Sequence, residues 1–114
     1  MKENQELFDK YYFAHSCGRP YQRDQVWLDF FDGIAEHIVK RINPETVLDA
    51  GCAMGFLVEG LRNRGVQAYG IDISQYAIAN VQSKIAEFCS VASITDPFPY
   101  IYNLIIVIKL LEHL

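Results

Sequence analysis

Apolar residues between 24 and 41 recur at helical spacing. Trp27, Phe30, Phe31, Ile34 and Ile38 fall at i, i+3, i+4, i+7 and i+11, while Asp29, Asp32, Glu36, Lys40 and Arg41 fill the remaining surface. Asp24 is placed to cap this helix, and Asn43-Pro44 ends it. The period then shortens. Val47-Leu48 reads as a buried strand with Asp49 at its carboxyl end, and Phe56, Leu57, Val58 and Leu61 open a second helix that stops at Gly65. Residues 66–73 read as a second strand. Ser74 caps a third helix whose buried stripe is Ile78, Val81, Ile85 and Phe88, and a short third strand fits 88–92. Pro97 and Pro99 make the next stretch irregular. Residues 104–108, Leu-Ile-Ile-Val-Ile, form a continuous apolar run expected to be a strand buried on both faces, and 110–114 read as the start of another helix. Strands alternating with helices predict an α/β fold on a parallel sheet.

Composition narrows the function classes. The chain has 114 residues, 51% of them hydrophobic, and a formal charge of −4. It lacks the clustered Lys and Arg that neutralise phosphates, so no nucleic-acid partner is expected. Cys17, Cys52 and Cys89 are odd in number and have no metal-ligand spacing. They read as free thiols in a reducing compartment. The first residues lack a signal-peptide core and no apolar run reaches the roughly 18 residues of a span, so a soluble cytoplasmic protein without a membrane partner is expected. Residues 1–23 are an aromatic-rich arm (Phe8, Tyr11, Tyr12, Phe13) that either packs on the core or folds over a pocket as a lid.

The turn Asp49-Ala-Gly51-Cys52-Ala53-Met-Gly55 carries the chemistry. Glycines let a backbone approach a ligand, and the following helix presents unpaired N–H groups. A dinucleotide fingerprint needs Gly-x-Gly-x-x-Gly over a pyrophosphate. Here a carboxylate precedes the first glycine, which disfavours a pyrophosphate and favours a ligand bearing an ammonium group. Asp72, about 20 residues on at the end of the second strand, is placed to accept two hydrogen bonds from ribose hydroxyls. The plainer alternatives are a βα turn that uses glycine for geometry, and an Asp72 that is only an exposed strand end or helix cap. Ser74 already supplies the cap.

The turn resembles the Asp/Glu-x-Gly-x-Gly-x-Gly motif of class I S-adenosylmethionine-dependent methyltransferases, with Ala53 in place of the middle glycine. Residues 102–114, Tyr-Asn-Leu-Ile-Ile-Val-Ile-Lys-Leu-Leu-Glu-His-Leu, resemble that family's Tyr/Phe-Asp-Leu-Ile and Glu-His-Leu segment. The lead-in from Cys17 to Phe31 looks like that of bacterial small-molecule and saccharide methyltransferases. The resemblance implies a Rossmann-like parallel sheet with helices on both faces, truncated after about four strands. It also implies one partial domain over 1–114, with a cofactor-binding βαβ core at 24–114. By the same resemblance, Asp49, Gly51, Cys52, Ala53 and Gly55 would seat the methionine moiety of S-adenosylmethionine, with Asp49 holding its ammonium directly or through water. Asp72 would bind the ribose and Ile73 pack on the adenine. Ser93 and Ile94 would meet the adenine edge, and Val107 and Ile108 would line the floor.

Asn103 and Lys109 stand where the family usually has Asp and Glu, and Lys109-x-x-Glu112-His113 lacks one member of a metal set found in some relatives, so no metal is expected. No catalytic base is assigned. The acceptor would be a small molecule or saccharide, chosen by residues outside this chain. A non-catalytic module that keeps the fold, with or without the cofactor, is the alternative, and a nicotinamide-dependent oxidoreductase is disfavoured by Asp49. The run at 104–108 would be an unprotected edge through which copies of the chain pair as a homo-oligomer.

Overall fold

Asp24 caps the first helix as its position demands: its Oδ1 accepts the N–H of Trp27 at 3.0 Å. The computed structural model describes residues 22–96 and 101–107, and in it α1 runs Gln25–Arg41. The face that α1 packs holds the stripe of the sequence except Phe30, with Ile34 and Ile38 partly buried against the core. Trp27, Phe31 and Ala35 are buried, whereas Phe30 is about half exposed and meets Phe31 edge-on. Residues 1–21 of the arm, the stretch 97–100 and residues 108–114 lie outside the described residues.

Four strands follow, β1 Thr46–Ala50, β2 Gln67–Asp72, β3 Cys89–Val91 and β4 Leu104–Val107, interrupted by α2 Phe56–Asn63 and α3 Gln75–Ala79. All pairings are parallel and the sheet order is β3-β2-β1-β4. The expected α/β layer is therefore present, a four-stranded parallel sheet flanked by helices. The register sets Asp49 of β1 between Gly70 and Ile106, Val107 beside Ala50, and Val91 beside Asp72. The carboxyl ends of all four strands thus meet at one edge, where ligands of open parallel sheets bind.

The main core lies on the sheet face that carries Val47, Ala68, Cys89, Leu104 and Ile106. α2 fills it, burying Phe56, Leu57, Val58 and Leu61, each worth about 1.5–3 kcal/mol when fully removed from water. Glu59 of α2 is also buried, because Arg23 donates to both its oxygens at 2.6 and 2.9 Å. Among the described residues no helix is long and apolar enough to cross a membrane.

Two expectations change. The third helix is not continuous: α3 ends at Ala79 and a 3₁₀ segment, Ser83–Phe88, takes over. Asn80 causes the break. Its side-chain amide donates to the Tyr76 carbonyl at 2.8 Å and its own N–H turns back to Ala77, which closes the helix. The apolar stripe survives the break, with Ile85 buried and Ile78, Val81 and Phe88 packed on the core. The other change concerns β4. It is not buried on both faces, because Ile105 and Val107 are 45% and 51% exposed. β4 ends the sheet order, so among the described residues only β1 flanks it. Asn103 fastens β4 there: its Oδ1 accepts the N–H groups of Glu45 and Thr46 at 2.9 and 3.0 Å.

Candidate cofactor site

The loop between β1 and α2 is bent by three left-handed residues, Gly51 (φ 90°), Ala53 (φ 51°) and Gly55 (φ 79°). Two are glycines, which take this conformation freely. Ala53 does so at a cost of about 1–2 kcal/mol, and it stands where the methyltransferase motif has its middle glycine. Hydrogen bonds hold the bend. Gly51 and Cys52 both donate to the Ile71 carbonyl, at 2.7 and 2.9 Å, and Gly55 donates to Cys52 at 2.9 Å. Asp72 supplies the last tie. Its Oδ2 accepts the Ala53 N–H at 2.8 Å and its Oδ1 accepts the Ser74 N–H at 2.9 Å. Each carboxylate oxygen keeps a second lone pair for a ligand hydroxyl. Ser74 itself caps α3, accepting the Ala77 N–H at 3.1 Å.

Asp49 sits beneath this bend, 3% exposed, and its Oδ1 has no hydrogen-bond partner among the described residues. Burial, then the neighbouring Asp72 charge, pushes its carboxyl up to about 7. A buried carboxylate oxygen without a donor is costly, and a cation carrying N–H donors would relieve both the desolvation and the repulsion. That is a site short of one positive charge. The residues present therefore fit the ammonium end of an amino-acid ligand, with a hydroxyl-accepting carboxylate on the next strand.

The other sequence-predicted positions divide. The Cys52 side chain points down onto β2, its Sγ 2.7 Å from where a Cβ on Gly70 would stand, so only its backbone faces the bend. Ile73 is 77% exposed beside Asp72. Ala92 donates to the Asp72 carbonyl at 3.0 Å, which brings Ser93 and Ile94 to the same edge. Ser93 is engaged locally: its Oγ bonds Thr95 and its N–H donates to Asp96 Oδ2 at 2.9 Å. Val107 lies beside Ala50 at the tip of β4, and Ile108 is outside the described residues. Two contributors were missed. Gly70 is required because Cys52 occupies its side-chain space, and a lone glycine inside a strand signals such close approach. Asp96 joins the same edge, its Oδ2 accepting the Ser93 N–H. A groove of about 250 Å³ between α1 and α2, lined by Gln25, Asp29, Asp32, Glu59 and Asn63 among others, includes none of the strand-tip residues.

The family profile described as a methyltransferase domain matches residues 21–114. The chain belongs to the methyltransferase domain family. It is 27% identical over 86 residues to a ubiquinone biosynthesis O-methyltransferase of Nitrosomonas europaea, covering 68% of this chain and 37% of that one. Its fold is similar to that of magnesium protoporphyrin IX methyltransferase from Synechocystis PCC 6803 with bound SAM (TM-score 0.63, 22% identity, 90% of this chain and 61% of that one). It is also similar to an amino pentose methyltransferase from Micromonospora echinaspora with SAM bound (TM-score 0.60, 16% identity, 90% and 42%). This methyltransferase domain thus spans about a third to three fifths of the length of these relatives. Their shared fold is the Rossmann-like sheet described above.

Proposed function

We propose that this methyltransferase domain provides the S-adenosylmethionine-binding portion of an enzyme that methylates a small-molecule or saccharide acceptor. The buried Asp49 carboxyl, whose Oδ1 has no hydrogen-bond partner among the described residues, under a left-handed glycine bend carries the reading. It asks for a cation at the place where a methyltransferase cofactor bears its ammonium. Asp72 accepts the ribose hydroxyls through its remaining lone pairs. Ile73 covers one face of the adenine, and Ser93 with Ile94 meets its edge. Gly51, Ala53 and Gly55 keep the bend clear of side chains, and the Cys52 backbone completes it. Val107, at the tip of β4, forms the floor.

When bound, the cofactor supplies a methyl group activated by its sulfonium. What this chain contributes is position, because placing two reactants in line accounts for much of the barrier in such transfers. The sugar and porphyrin methyltransferases of similar fold support this acceptor class. The modest negative charge argues against a polyanionic substrate.

Isothermal titration with S-adenosylhomocysteine and with NADH tests the reading. Saturable binding of the first and none of the second is expected. Binding of NADH alone would overturn it. Methyl transfer from labelled S-adenosylmethionine to amino sugars then tests the acceptor class.

A further inference from the structure

Two thiols neighbour each other beneath the bend. The Sγ and Cβ of Cys52 stand 2.7 and 2.8 Å from the position of a Cβ on Gly70. Gly70 is the register partner of Cys89 on β3. Register partners on adjacent parallel strands lie about 4.8 Å apart and project from the same face. From the other direction, the Cys89 Sγ is 3.6 Å from where a Cβ on Gly55 would stand, three residues beyond Cys52. Ile85 and Val81 fill most of the space a Gly55 side chain would take, with the Cys89 sulfur next to them, while the Cys52 sulfur fills that of Gly70, so the two sulfurs sit on neighbouring strands beneath the bend. Both cysteines are free and buried.

We propose that Cys52 and Cys89 are a reversible modification site, a dithiol that closes to a disulfide and withdraws the bend from its ligand. The two thiols are not equivalent. Donation from Cys52 and the Arg62 guanidinium favour the thiolate at Cys89, against burial and the Asp49 charge, while that same donation, then burial, pushes Cys52 up. Cys89 is therefore the attacking sulfur and Cys52 the resolving one.

The co-reactant is a low-molecular-weight disulfide. The Cys89 thiolate attacks one of its sulfurs and expels one thiolate. Cys52, giving up its proton, attacks the Cys89 sulfur and expels the other. Two protein thiols are oxidised, one small disulfide is reduced to two thiols, and the two thiol protons go to the two leaving groups. Access comes through β3, a three-residue strand at the end of the sheet whose Ser90 and Val91 are exposed. Bonded sulfurs sit about 2 Å apart, closer than any non-bonded contact, so the bond draws Cys52 toward β3. Gly51 and Ala53, on either side of Cys52, must move with it. The functional consequence rests on the bend being the cofactor seat, whereas the bond itself does not.

The test uses the full chain carrying Cys17→Ser, titrated with oxidised glutathione under native conditions. The expected result is a mass loss of about 2 Da with a tryptic cross-link between Cys52 and Cys89. Affinity for S-adenosylhomocysteine should fall by at least about tenfold and return on reduction. Adding Cys89→Ala should abolish the cross-link and leave the affinity insensitive to the oxidant. Folded protein that keeps both thiols under fully oxidised glutathione would overturn the proposal. So would a cross-link that leaves affinity unchanged. Reduced protein that binds no S-adenosylhomocysteine would sink the cofactor reading and the regulatory consequence, while the mass shift still decides the disulfide.

Discussion

Replacing Asp49 with Asn should stabilise the fold at alkaline pH and do much less at acid pH. In the folded chain the Asp49 carboxyl titrates at about 7, against an ordinary value of 3.8. Between those values the folded state keeps a proton that the unfolded state has released. Folding stability therefore falls as pH rises through this window, by about 1.4 kcal/mol per pH unit. Above the folded value the loss is complete and totals about 4 kcal/mol. Asn has nearly the same shape and does not titrate, so its own hydrogen-bonding demands add only a pH-independent offset. Groups with lowered values, such as Glu59, act in the opposite direction but are common to both proteins and cancel in the difference. The stability gap between variant and parent should therefore widen in the variant's favour by about 3 kcal/mol from pH 5 to pH 8. Urea denaturation of both proteins at the two pH values measures it. A gap that stays constant would mean that Asp49 is ionised in the fold throughout, and the reading of a site short of one positive charge would fail. The same linkage predicts that S-adenosylhomocysteine binds more tightly as pH rises toward 7, and that Asp49→Asn removes this dependence.

Asp72→Asn removes the charge facing Asp49, and carbon-detected NMR should show the Asp49 midpoint moving down from about 7; an unmoved midpoint would mean that the two carboxylates are not coupled. Gly70→Ala places a Cβ within 2.7 Å of the Cys52 Sγ and 3.0 Å of Val58. It should cost about 1–3 kcal/mol in a denaturation experiment, whereas Cys52→Ala in the same background should recover part of the loss. Asn103→Ala leaves the Glu45 and Thr46 amides without their acceptor and should cost about 1–2 kcal/mol, with faster hydrogen exchange along β4. Asn103→Asp keeps the acceptor and should be close to neutral. The half-exposed β4 edge, with Ile105 and Val107 outward, is proposed to pair copies of the chain; light scattering should report a dimer at high concentration that Ile105→Lys dissolves, and a monomer throughout would refute the pairing.

The sequence showed the positions where backbone geometry and charge act locally. Asp24 and Ser74 were readable as caps because short polar side chains before apolar stripes have few other uses, and both accept the expected N–H. The parallel order was readable from alternation alone. Legibility stopped where a neighbour distant in sequence decides the outcome. Phe30 fits the α1 stripe by spacing, yet it stays half exposed while Trp27, Phe31 and Ala35 are buried and Ile34 and Ile38 pack beside them. The stripe from Ile78 to Phe88 holds its apolar period through a change of helix type, since periodicity reports burial and is indifferent to the side-chain bond by which Asn80 ends α3. Asp72 is the most instructive residue. From sequence it is one half of a ligand clasp, but in the fold it also braces the bend through the Ala53 N–H and raises the proton affinity of Asp49. One side chain therefore links the shape of the seat to its charge. A variant at this position should move both together, and pH titration with stability measurements separates the two effects where ligand affinity alone would merge them.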